Sequence, residues 1–255
     1  MIEKLINPGR AETLFASWQE TMIWSCLKNV MGTVYGDHPE RPGCAAAVLG
    51  DFTFFAGEPR EELVLYRPGS SRGEFGILVP QNDAWAGLIE RCYGERARKV
   101  TRYAFRKEPE AFDREKLRNM REALPPEYSL RMLDKELYEW CLGQAWCRDW
   151  VSQYPDYGFY EKNGLGVVIT REGIPVSGAS SYSSYPGGIE IEIDTREEYR
   201  RRGLARICGA GLILECLDRG LYPSWDAQNP WSAALAKQLG YRMEQAYTAY
   251  EAVDS

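Results

Sequence analysis

The alternation of apolar and polar residues changes period along the chain, and each change marks an element. Over residues 13–31, Leu14, Trp18, Met22 and Leu27 recur at near-helical spacing and predict one helix, with Gly32 as its stop. Residues 45–56 form an apolar run broken at Gly50-Asp51, which reads as one or two strands about a turn. Strands are expected at 62–66 and 75–79, joined through Pro68-Gly69-Ser70-Ser71, and again at 100–106. Asn82 caps a short helix over 84–93 that stops at Gly94, and a charged, exposed helix follows over 113–123. Leu124-Pro125-Pro126 interrupts this pattern, and the domain boundary is placed there, giving domains 1–125 and 126–255.

After the prolines the pattern predicts a strand at 127–134 and a helix over 135–147. A hairpin then turns at Glu172-Gly173, with strands at 165–170 and 176–182. In the next strand Ile189, Ile191 and Ile193 alternate with Glu190, Glu192 and Asp194, so one face is apolar and the other acidic. That strand runs through Thr195 into Arg200, Arg201, Arg202 and Gly203, and a long helix opens at Leu204 and ends at Gly220. A strand at 223–227, a short helix at 229–239 closed by Gly240-Tyr241, and a strand at 246–252 complete the chain.

The three arginines stand where a helix dipole places positive charge, at a cost of about 0.3–1 kcal/mol each. Glu197 and Glu198 offset part of this. The arrangement makes sense if an anion sits on the turn, held by free backbone amides and flanked by guanidinium groups. The alternative is a solvated basic helix start with a tight-turn glycine.

Composition narrows the field. The formal charge of −6 argues against a general nucleic-acid binder, and no apolar run reaches membrane-spanning length. Seven cysteines, none spaced C-x-x-C, and a single histidine, His38, leave few ligands for a zinc site, so no metal is expected. Buried free thiols and a charged N-terminus without an apolar leader point to the cytoplasm. Gly69-Ser70-Ser71-Arg72-Gly73 fits the hydrolase nucleophile elbow, but Pro68 precedes it and His38 lies upstream, which is the wrong context. Trp140, Trp146, Trp150 and Tyr154 read as core in preference to a substrate wall.

Arg200, Gly203 and Ala205 form R-x-x-G-x-A after an acidic strand, which resembles the acyl-coenzyme A motif of the GNAT acetyltransferases. A second stretch, NPWSAALAKQLGY from Asn229 to Tyr241, resembles that family's penultimate element. The order strand, helices, three strands, helix, strand, helix, strand is also the family's order. The resemblance covers the chain from about Tyr128 onward and implies an α/β (α+β) fold with a mixed sheet flanked by helices. The N-terminal α/β domain carries no recognised motif; it is either a degenerate copy of the second half or an unrelated cap. The pairing resembles a bacterial two-domain group that includes zwittermicin-resistance-type acetyltransferases.

The resemblance implies a function: acetyl transfer from acetyl-CoA to a primary amine by direct attack. The cofactor's diphosphate would lie on Arg200, Arg201, Arg202, Gly203, Leu204 and Ala205. Backbone amides about Ile193, Asp194 and Thr195 would face the thioester carbonyl. Asn229, with Ser232 nearby, would meet the pantetheine arm. An ammonium must lose a proton before it attacks, and Glu190 or Glu192 is the expected base; the bland reading of both is a solvated outer face. The family's usual tyrosine acid is replaced by Ala236, which leaves Ser232, a nearby tyrosine or unassisted departure of the thiolate. It also leaves a different reading open, a non-catalytic acyl-CoA-binding or sensing module. The expected partners are a small-molecule amine, with no nucleic acid and no membrane; a homodimer stays open.

Overall fold

The computed structural model describes residues 1–66 and 75–253. The G-x-S-x-G stretch and its proline lie outside the described residues. The chain separates into two compact units, Met1–Arg102 with Ala246–Ser255, and Tyr103–Gln245.

The first unit holds strands β1 (Glu3–Lys4), β2 (Thr33–Gly36), β3 (Cys44–Leu49), β4 (Phe52–Gly57), β5 (Phe75–Pro80) and most of β6 (Ala97–Phe105). Its helices are α1 (Thr21–Leu27), α2 (Glu61–Val64) and α3 (Asp83–Tyr93). The run read as one or two strands about Gly50-Asp51 is two, β3 and β4, paired as a hairpin, and α3 is capped by the Asn82 side chain as expected. Two expectations fail. Residues 13–31 are not one helix: a 3-10 segment, Pro8–Phe15, comes first, and Glu20 then starts α1 by accepting a hydrogen bond from Met22 N. Residues 62–66 are not a strand. Glu61 and Glu62 suit the positive end of the short helix α2, whose Leu63 and Val64 are buried. So short an apolar run fits either period.

The second unit contains α4 (Arg114–Glu122), β7 (Tyr128–Met132), α5 (Lys135–Leu142), α6 (Tyr157–Asn163), β8 (Gly166–Arg171), β9 (Ile174–Tyr185) and β10 (Gly188–Thr195). Then come α7 (Leu204–Asp218), β11 (Tyr222–Ser224), β12 (Asp226–Ala227), α8 (Pro230–Leu239) and β13 (Met243–Val253), which passes into the first unit. The sheet order is β11-β10-β9-β8-β7, antiparallel except for the parallel pair β10–β11. The helix expected over 135–147 ends at Leu142, where Gly143 caps it, and α6 was not expected.

The units do not divide at Pro125-Pro126. Leu117 of α4 is fully buried in the same core as Leu212 and Ile213 of α7, so α4 packs with the second unit in spite of its charged sequence. At the other end, Tyr250 and Ala252 of β13 pair with Leu78 and Gly76 of β5, which draws the last strand into the first unit. There the strand order is β1-β2-β3-β4-β5-β13-β6. The core of the second unit forms around α7, which is apolar on all sides. Small residues let its neighbours close in: a Cβ on Gly209 would lie 2.7 Å from Leu239 Cδ1, and one on Gly211 would lie 3.1 Å from Leu130 Cδ2.

Candidate functional site

The period-2 pattern of β10 is realised as expected: Ile189 and Ile191 enter the core beneath α7, and Ile193 packs against its edge. The strand's two neighbours then shape the site. Against β9 the register slips between Glu190 and Ile191, a β-bulge that sharpens the local twist. Against β11 the pairing stops early, at Glu190 opposite Ser224, while β12 leaves to pair with Tyr103 and Ala104 of β6. β10 therefore parts from its parallel neighbour over its last residues. A cavity of about 830 Å³ opens beside them.

β10 gives that cavity Ile193, Asp194 and Thr195; the following turn gives Arg200, Arg201 and Gly203; α7 gives Leu204 and Ala205; and α8 gives Asn229 and Ser232. Ten of the thirteen residues read from the sequence are thus brought together. Arg202 is directed elsewhere. Its guanidinium donates to Glu198 O (2.9 Å) and Tyr128 Oη (3.4 Å) and lies 5.1 Å from the centre of the Tyr199 ring, so it braces the turn. Glu190 and Glu192 are not on the cavity wall either.

The turn has the geometry of an anion cradle. Arg201 (φ +61°) and Gly203 (φ +79°) are both left-handed, a conformation that costs a non-glycine residue about 1–2 kcal/mol. A Cβ on Gly203 would meet nothing nearer than Arg206 Nη2 at 3.8 Å, so this face of the turn is open. Gly203 supplies no side-chain cap to α7. Helix geometry then leaves the amides of Leu204, Ala205 and Arg206 without intrahelical acceptors. Arg200 Nε donates to Thr195 O (3.1 Å), tying the turn to the strand end. Across the cavity, Asn229 Oδ1 accepts from Ser232 N (2.9 Å) as the cap of α8, and Ser232 Oγ accepts from Trp225 Nε1 (3.1 Å).

The acidic face of β10 is graded. Glu190 is 4% exposed and lies between Ser183 of β9 and Ser224 of β11 in the strand register. Both serine hydroxyls are buried and make no hydrogen bond among the described residues. Asp194 sits at the cavity, and burial, then the charge of Asp149, pushes its pKa up to about 6, against the hydrogen bond with Glu192 and the charge of Arg200. A carboxyl that changes charge near neutrality at the end of an open cleft is suited to proton transfer.

The sequence reading did not single out Tyr199, Arg206, Gln228, Trp231, Leu235 and Gln238, which complete the wall. Arg206 was within reach, one turn beyond the arginine run, and Tyr199 stands in the turn before it; the others lie on α8 or just ahead of it and depend on how that helix packs. Ala236 is fully buried in the core. His38 is the loop residue expected, with Nδ1 accepting from Glu40 N and Arg41 N. Trp150 and Tyr154 are core, while Trp140 and Trp146 are half-buried beside them. Among the described residues no group of three His, Cys, Asp or Glu side chains is placed to hold a metal ion, and no helix is long and apolar enough to cross a membrane.

Comparison with known proteins bears on this geometry. The chain is similar to a GNAT-like protein from Streptococcus suis 89/1591, whose crystal structure superposes with a TM-score of 0.91 at 48% identity, covering 96% of this chain and 98% of that one. It is 27% identical over 252 residues to the "uncharacterized N-acetyltransferase YdfB" of Bacillus subtilis strain 168, covering 90% of this chain and 89% of that protein. A tandem GNAT protein from the clavulanic acid biosynthesis pathway shares the fold, with a TM-score of 0.54 at 12% identity over 99% of this chain and 98% of that one. The family profile described as GNAT acetyltransferase spans residues 12–250 and so takes in the N-terminal half, where the sequence offered no recognised motif. By that match the chain belongs to the GNAT acetyltransferase family, whose chemistry is acyl transfer.

Proposed function

We propose that the protein is an N-acetyltransferase that moves an acetyl group from acetyl-CoA to a primary amine by direct attack, in the cytoplasm. The observation that carries this reading is the cradle at residues 200–203. It has two left-handed residues, one of them a strained arginine, and uncapped amides of α7 facing a cavity that also reaches a carboxyl of raised pKa. A strained non-glycine residue at the mouth of a cleft is a sign of function.

The residues present suit the cofactor. The amides of Leu204, Ala205 and Arg206, with the Arg200 and Arg201 guanidinium groups, would bind its diphosphate. Ile193, Leu235 and Asn229 would line its arm. When bound, acetyl-CoA supplies an acetyl group activated as a thioester. The chain's part is to exclude water, hold the amine, and take the proton that the ammonium must lose. The Glu192–Asp194 pair takes that proton, Asp194 being the member on the cavity wall and Glu192 its hydrogen-bonded neighbour; Glu190 lies deeper on the same face of the strand. Thr195, Tyr199 and Ser232 carry the hydroxyls on the cavity wall; Thr195 Oγ1 is paired with Ser177 Oγ (2.7 Å), so Ser232 and Tyr199 are the ones we assign to the departing thiolate, in place of the residue at 236.

Incubation with acetyl-CoA and a panel of amines, followed by release of free thiol and by mass change of the amine, tests the proposal. Amine-dependent thiol release is the expected result. Tight binding of acetyl-CoA with no thiol release on any amine would favour a non-catalytic acyl-CoA sensor, the reading that the buried Ala236 keeps alive.

A further inference from the structure

Of the eight tryptophans, seven are buried or half-buried. Trp231 is 83% exposed and lies on the wall of the 830 Å³ cavity. Among the described residues no ring or cation packs on it. Its backbone is nevertheless fixed: Pro230 precedes it in the first turn of α8, the Asn229 side chain caps that turn, and the Trp225–Ser232 hydrogen bond anchors the next residue. An indole on a fixed backbone, 83% exposed and without a ring packed on it, is costly to leave bare, and it is a ready stacking surface for a flat heterocycle.

We propose that Trp231 is the stacking platform for the purine base of coenzyme A, with Gln228 and Gln238 beside it on the same wall. The inference rests on the acyl-CoA reading above and goes beyond it by assigning the nucleoside end of the ligand to a residue. The aliphatic arm suits the half-buried apolar wall of Ile193 and Leu235. The base needs the open rim, and among the described residues the one large apolar side chain exposed on the cavity wall is this indole. Arg206, on the α7 side of the same cavity, places a cation within reach of the ligand's phosphates.

Calorimetric titration of the wild type, Trp231→Ala and Trp231→Phe with coenzyme A and, separately, with 4′-phosphopantetheine, which lacks the nucleoside, tests the assignment. Trp231→Ala should weaken coenzyme A binding by roughly 10- to 100-fold and leave 4′-phosphopantetheine binding unchanged, with Trp231→Phe close to wild type. Coenzyme A should also quench a component of the tryptophan fluorescence that is absent from Trp231→Phe. Unchanged coenzyme A affinity in Trp231→Ala overturns the inference while leaving the acyl-CoA reading in place. Equal losses for both ligands overturn it too, because the indole would then serve the arm or the shape of the cavity. If the wild type binds neither ligand, the acyl-CoA reading itself falls, and this inference with it.

Discussion

The two units use the same local order at their parallel strand pairs and arrive at opposite outcomes. In the first, β4 and β5 run parallel and lead into α3, capped by Asn82; in the second, β10 and β11 run parallel and lead toward α8, capped by Asn229. Three residues after the cap the first unit has Trp85 and the second has Ser232. Trp85 is fully buried, stacks on Phe55 at 5.2 Å between ring centres, and donates Nε1–H to Gly57 O (3.0 Å). Gln81 Oε1 accepts from Gly57 N (3.1 Å), so the end of β4 is sealed. Ser232 fills no such space, β10 parts from β11, and the gap is a cavity. The helix starts differ in the same sense: α2 carries Glu61 and Glu62 in its first turn, whereas α7 has bare amides and arginines before it. One side-chain size and one loop separate a sealed strand end from an open cavity.

The largest effect should come from unsealing the first unit. Trp85→Ala removes a buried indole and should cost about 3–5 kcal/mol by denaturant unfolding, without altering coenzyme A affinity in the molecules that stay folded. Sealing the second unit should do the reverse. Ser232→Trp, read by calorimetry, should weaken coenzyme A binding by about 100-fold or more, or some 2.7 kcal/mol, with a smaller loss of stability of about 1–3 kcal/mol from the unpaired Trp225 Nε1–H. Gly203→Val should be equally damaging to binding, because its backbone is left-handed (φ +79°). If Ser232→Trp binds as tightly as wild type, the cavity beside it is not the cofactor site.

Asp194→Asn should lower kcat on the order of 100-fold and remove the acidic limb of the pH–rate profile. A base must be ionised, so wild-type activity should rise through about pH 6 and level off above it. The stability effect has the opposite sign. The folded-state pKa of Asp194 lies above its ordinary value of 3.8, so the folded state binds its proton more tightly and loses stability as pH rises from 3.8 to about 6. Asp194→Asn should therefore be more stable than wild type at pH 8, by roughly 2–3 kcal/mol at most, with the difference vanishing in acid. A melting series against pH checks both the sign and the window. The smallest effect is expected from Glu192→Gln, a fewfold loss of turnover and a displaced limb, partly recovered at higher pH.

The contrast between the units also explains what could be read from the sequence. The acidic strand, the arginine–glycine turn and the capped α8 are local patterns, and each stands where its period and cap placed it. The choice among Glu190, Glu192 and Asp194 was not legible. All three share one face, and what grades their burial is the bulge and the early end of β11, both set by partners distant in the chain. Arg202 looks like its neighbours in sequence yet turns back onto Tyr199 and Glu198, a choice made by the left-handed Arg201 before it. In the first half, α2 has four residues, too few to show a helical period, and the charged stretch over α4 hides a single buried anchor, Leu117. The last strand could not be assigned to the first unit because its partner β5 lies more than 150 residues upstream.

The central claim is that the turn before α7 grips a diphosphate. Titration calorimetry of coenzyme A into wild type and Gly203→Val tests it most directly. The account predicts saturable binding to the wild type that weakens as salt is raised and is lost in the variant. Absence of heat with the wild type, or equal binding by the variant, would contradict it.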